Sequence, residues 1–193
     1  MIQKSSEQGF SYIDVMIALV ILMVGILASA AALTANLVRS FETEKQVVAK
    51  QIALSTIESI FSARDIARTD GLASWISIGN VGTNPDPSGA FQGIFLTGFR
   101  PIRQDLGVDG VAGTADDACP ASGVCQVPDK PDNTSAVLNG FERKIVITDL
   151  QDPERPSPAH PISRRRIDVT VRYFVNQLQR EQTISTIITN YAE

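Results

Sequence analysis

Residues 15–38 form a run of 24 positions without a formal charge, apolar on every side of any helix built from it. At about 1.5 Å of rise per residue, that length crosses a hydrocarbon core of about 30 Å. The chain is expected to be anchored in a membrane near its start. After the run the pattern changes character without a break. Over residues 39–63, Phe41, Val47, Val48, Leu54, Ile57 and Phe61 recur at helical spacing, while Glu42, Glu44, Lys45, Lys50 and Glu58 fill the other positions. No Gly or Pro interrupts until Gly71, so one helix is predicted to start in the membrane and to end as the spine of a head domain. Between Phe10 and Phe61 there is no proline, which leaves Gly25 as the one residue able to bend it.

Beyond the helix the pattern turns to alternation. Residues 64–77 predict a short second helical piece carrying Trp75 and Ile76, and residues 79–89 are turn chemistry throughout. A first strand is expected over 91–99, although apolar residues fall there on both parities. Residues 104–134 form a long insertion rich in Asp, Gly, Pro and Ala, of a length that calls for bracing or function. Clearer strands follow. In 141–150, Phe141, Arg143, Ile145 and Ile147 alternate with Glu142, Lys144, Val146 and Thr148. Residues 152–161, with four prolines, break the pattern. In 166–175, Ile167, Val169, Val171 and Tyr173 alternate with Arg166, Asp168, Thr170 and Arg172; residues 176–181 turn the chain into a last strand over 182–190. The order is α+β: a long N-terminal helix covered on one face by a small antiparallel sheet of about four strands.

Composition narrows the reading only slightly. With 193 residues and the first 40 or so taken as leader and anchor, one small domain remains. A net charge of −4 supplies no broad basic field, so nucleic acid is not an expected partner. The triplet Arg164-Arg165-Arg166 reads as a solvated basic strand edge of the kind that discourages edge pairing. His160 is the single histidine, set among prolines, and no second one completes a zinc site. No phosphate-binding glycine loop or Gly-x-Ser-x-Gly turn is present, and an enzyme is not expected.

One stretch has metal-ligand spacing. Counting Asp105 as the first position, acids fall at one, five (Asp109) and twelve (Asp116), with Asp117 next and Gly110 at six, where a calcium loop turns sharply. Gly107 at the third position and Asp in place of Glu at the twelfth depart from that loop. Two readings stand: a calcium site that stiffens the insertion, or a solvated acidic loop.

The short polar segment 1–9 ends in Gly9-Phe10-Ser11-Tyr12-Ile13-Asp14-Val15. This resembles the class III signal of type IV pilins and type II secretion pseudopilins, where a polar leader ends in Gly, Phe follows, and an acid stands four positions after it. The resemblance implies cleavage by a prepilin peptidase between Gly9 and Phe10, and N-methylation of Phe10. It gives Asp14, Glu in most of the family, a role in assembly, where its carboxylate meets a neighbour's N-terminal amine. An acid at this point is favoured by the helix dipole but costly in a bilayer unless paired; capping its own helix is the simpler role. The closing hairpin also resembles, more diffusely, that of minor pilins and minor pseudopilins.

The organisation implied is a leader over 1–9, a membrane and assembly half-helix over 10–38, a periplasmic half-helix over 39–63, and a head over 64–193. The chain would be a minor type IV pilus subunit in the inner membrane with its head in the periplasm, later in the filament at the cell surface. Its partners would be other pilins, the peptidase and the assembly platform. The first alternative is a minor pseudopilin, and the second a head that binds a surface or DNA. In that compartment Cys119 and Cys125, six positions apart, are expected to join as a small structural disulfide. A secretory signal ending at Ala28-Ser29-Ala30 is the rival for the N-terminus, but it lacks a basic leading segment.

Overall fold

The computed structural model describes residues 11–69, 75–85, 88–104, 106–107, 109–115, 117, 136–151, 153–154 and 162–190. Helix α1 spans Tyr12–Thr69 without interruption, through Gly25. The chain divides into two compact units, Met1–Glu44 and Lys45–Glu193.

In the first unit, fourteen large apolar side chains between Val15 and Val38 are exposed, among them Leu19 at 58%, Ile21 at 66% and Leu27 at 64%. Taking such groups out of water is worth on the order of 1 kcal/mol each, or roughly 15 kcal/mol in all. This is the one helix among the described residues that is long and apolar enough to cross a membrane.

In the second unit, α1 buries one stripe: Ala49, Ala53, Thr56, Ile57, Ile60 and Ala63. The spacing of three and four residues is that of one helical face, and alanine at three of its positions allows close approach of a sheet. The helix ends later than the sequence pattern suggests, at Thr69, because nothing before Gly71 stops it. Of the second helical piece expected within 64–77, the described residues hold the end of α1 and a 3₁₀ turn, Trp75–Ser77.

Among the described residues four strands follow: β1 (Arg100–Arg103), β2 (Val137–Leu150), β3 (Arg164–Val175) and β4 (Leu178–Thr189). They form one antiparallel sheet in the order β1-β2-β3-β4, every neighbour also a chain neighbour. This is the expected α+β arrangement. In β3 the odd positions from Arg165 to Val175 are buried and most even ones are not, as the alternation in the sequence requires. Ile145, Ile167, Val169, Val171 and Ile188 join Ile57, Ile60, Ile78 and Phe95 in the core.

The expected strand at 91–99 does not enter the sheet. Phe91 and Phe95 make only isolated bridges, to Pro85 and Asn80. Two glycines account for this. A Cβ at Gly93 would lie 2.1 Å from the Asn80 carbonyl oxygen, so the two backbones press together there. Gly98, at φ +78°, then turns the chain into β1. The β3–β4 turn is also tighter than expected, two residues in place of six. Asn176, at φ +53°, takes the left-handed position. Residues 178–181 are all exposed at the hairpin tip and, after Leu178, polar on both faces, which hides their strand character in the sequence.

Candidate functional site

The helix start is built by Ser11 and Asp14. The Ser11 carbonyl accepts from the amides of Asp14 (2.9 Å) and Val15 (3.3 Å), and the Ser11 amide donates to Asp14 Oδ2 at 3.2 Å. This is the reciprocal half of a capping box, with an acid in the first turn. In the single chain Asp14 therefore caps its own helix, and its Oδ1 has no hydrogen bond among the described residues. Gly9 and Phe10 lie outside the described residues.

The insertion is more ordered into the core than an acidic loop suggests. Val111, Ala112, Thr114 and Asp117 are buried. The Ala112 amide donates to Ser59 Oγ on α1 at 2.9 Å, and the Leu96 amide donates to the Gly113 carbonyl at 2.9 Å. Gly113 is required here: its φ is +97°, and a Cβ would lie 2.4 Å from Ile145 Cδ1. Asp109 Oδ1 accepts the Val111 amide at 2.7 Å, a local Asx turn.

Asp117 is the anchor of this segment. Its Oδ2 accepts from the Gly113 amide at 2.7 Å and from Arg143 Nη2 at 2.9 Å. Arg143, 7% exposed, reaches from β2 and also donates Nη1 to Thr56 Oγ1 on α1 at 3.2 Å. One guanidinium thus ties helix, sheet and insertion together. Burial pushes the Arg143 pKa down, and the charge of Asp117 and its hydrogen bond push the other way. Asp117 is consequently not a solvated acid. A calcium ion sharing its Oδ2 would stand beside a guanidinium, an unfavourable neighbour. Among the described residues no three potential ligands of the His, Cys, Asp and Glu type gather. Asp105, Asp116, Cys119 and Cys125 lie outside those residues, as does His160.

The arginine triplet is not a uniform solvated edge. Arg165 has the parity of the core residues of β3, and it is 4% exposed. It pairs with Asp149 at 2.7 Å, donates to the carbonyls of Ile78 (2.6 Å) and Trp75, and stacks 4.5 Å from the Trp75 ring centroid. The Trp75 indole N–H donates to the Ile162 carbonyl at 2.6 Å. Arg166 faces outward and pairs with Asp168 at 2.9 Å. On the same outer face Arg172 lies 3.5 Å above the Phe99 ring and pairs with Glu142 and Glu181, each at 3.3 Å.

Asn80 carries a role with no sequence signal. Its Nδ2 donates to the carbonyls of Ile145 (2.9 Å) and Phe95 (3.3 Å), and its Oδ1 accepts the Ile147 amide at 2.8 Å. The short β1 pairs with β2 only as far as Arg143. Beyond it the Asn80 amide stands in for a neighbouring strand and satisfies the β2 edge. Arg143 was visible as a charge in an apolar register; Asn80 sat in what reads as a loop.

No protein-family profile, curated protein or solved structure matches this chain.

Proposed function

We propose that this chain is a minor subunit of a type IV pilus, cut between Gly9 and Phe10 and methylated on Phe10. The observation that carries the reading is the unequal helix. Its first unit exposes apolar side chains on all sides, whereas the second buries a single stripe under a four-stranded antiparallel sheet. Joined to the Gly9-Phe10…Asp14 signal, this suits a subunit stored in the inner membrane and withdrawn into a filament. Side chains such as Leu19, Ile26 and Leu33 would exchange lipid for neighbouring helices.

Asp14 has an assembly part in this reading. Its Oδ2 caps its own helix while Oδ1 is left to receive the N-terminal amine of an adjoining subunit. The periplasmic head displays the insertion and acts by contact, with no catalytic step of its own.

The test is co-purification with sheared filaments from the native host, with the chain detected by antibody. The chain should appear in the filament fraction, and Asp14→Ala should leave it in the inner membrane. A wild-type chain confined to the inner membrane of a piliated cell would overturn the proposal.

A further inference from the structure

β4 is the last strand of the sheet, and its outer side is an open edge. In an antiparallel ladder, pairs that exchange hydrogen bonds alternate with pairs whose amides and carbonyls point away from the partner. The Asn190 amide donates to the Ser163 carbonyl at 2.8 Å, and from there the ladder runs through twelve consecutive pairs to Val175 and Leu178. Even-numbered residues of β4 therefore bond to β3, and the odd ones turn their backbone groups outward. At the end of the strand the protein meets this row itself, for Arg64 Nη1 donates to the Thr189 carbonyl at 3.3 Å. The backbone groups of Gln179, Glu181, Thr183, Ser185 and Ile187 have no such partner among the described residues.

An open edge is ordinarily blunted by Lys, Pro or a bulge. From Gln182 to Asn190 there is no charge and no proline, and the pairing with β3 is unbroken. The core also ends open here. Even side chains of β4 face inward, where Ile188 is buried but Ile184, packed against the core, is only half-buried. On the outer face Thr183 and Ser185 are exposed. A strand that fits would carry apolar side chains at alternate positions and uncharged polar ones between them. A second copy of β4 fits poorly, because the antiparallel register that sets Ile184 against its own copy also sets Arg180 of each chain against Ile188 of the other.

We propose that the β4 edge takes up an extended segment of another protein as an added antiparallel strand, uncharged and apolar at every second residue. Its main chain answers the outward amides and carbonyls, and its apolar side chains lie beside Ile184.

The test is fluorescence anisotropy of a labelled, amide-capped Thr-Val-Thr-Val-Thr-Val-Thr peptide titrated with the full chain in neutral maltoside micelles. Opposite residues share a face, so the threonines should lie on the outer side with their amides toward β4, and the valines should turn theirs to solvent. Methylating the threonine nitrogens should weaken binding at least about tenfold, whereas methylating the valine nitrogens should leave it nearly unchanged. Ser185→Pro removes one outward amide and spares the ladder to β3, so it too should weaken binding at least about tenfold while Trp75 emission stays native. The methylated pair decides the question even where Ser185→Pro fails to fold. Equal binding of the two methylated peptides, no binding of the parent up to about 1 mM, or an unchanged affinity in a folded Ser185→Pro chain would overturn the proposal. A peptide-free dimer that Ser185→Pro disperses would give the edge to a second copy and overturn it as well.

Discussion

Replacing Arg143 by Met tests whether one buried guanidinium holds helix, sheet and insertion together. The change keeps length and apolar stem but removes the donors to Asp117 Oδ2 (2.9 Å) and Thr56 Oγ1 (3.2 Å). Asp117, 9% exposed, would keep the Gly113 amide but lose its counter-charge. Breaking a buried pair by removing one partner costs about 3–5 kcal/mol, most of it the desolvation of the charge left behind. Without the guanidinium the buried carboxylate holds a proton more readily, so its folded pKa rises above the unfolded one. A group with a raised folded pKa contributes stability below the unfolded pKa and loses it as pH rises through the folded one. The variant should therefore be worst at pH 7 and recover toward pH 5.

Trp75, the one tryptophan, reports on unfolding in urea without labels, with the full chain held in maltoside micelles. Adding Asp117→Leu to Arg143→Met should restore about half or more of the loss, since an apolar pair of similar volume is often neutral. A single variant that loses less than about 1 kcal/mol, or a double variant as unstable as the single one, would refute the reasoning.

Three further outcomes rest on separate contacts. Asn80→Ala should cost about 2–4 kcal/mol, because it strips partners from the Ile145 carbonyl and the Ile147 amide, and hydrogen exchange should accelerate at Ile147 ahead of its neighbours in β2. Arg165→Lys keeps the charge but loses the fork and the stack on Trp75; a loss of about 1–2 kcal/mol with a changed Trp75 emission is expected. Gly113→Ala should destabilise by at least about 1 kcal/mol, from a positive φ and a clash with Ile145 Cδ1. Ile145→Val, which deletes that atom, should recover part of the Gly113→Ala loss in the double variant, again read by urea unfolding.

The helix and the strand β3 were legible because their periods are clean, while the start of β4 was not. An apolar run long enough for a bilayer, a stripe at three and four residue spacing, and strict alternation through Ile167 to Tyr173 each permit one element. The segment 91–103 was not legible. Its apolar residues serve a fully buried Phe95 and a ring, Phe99, laid on the outer face under Arg172, so neither parity dominates. Buried polar groups were the other gap. Arg143 and Arg165 stand in apolar registers, but a charge there is read as solvated unless its partner is known. Those partners, Asp117 and Trp75, lie 26 and 90 residues away. Asn80 depends wholly on β1 stopping short of the end of β2, which only the assembled sheet reveals.

The most direct measurement is the intact mass of the chain extracted from membranes of its native host, with mapping of the N-terminal peptide. A filament subunit should begin at Phe10 and carry one methyl group on its amine. A chain that still begins at Met1, or one that begins beyond Ala30, would contradict the pilin reading at its root.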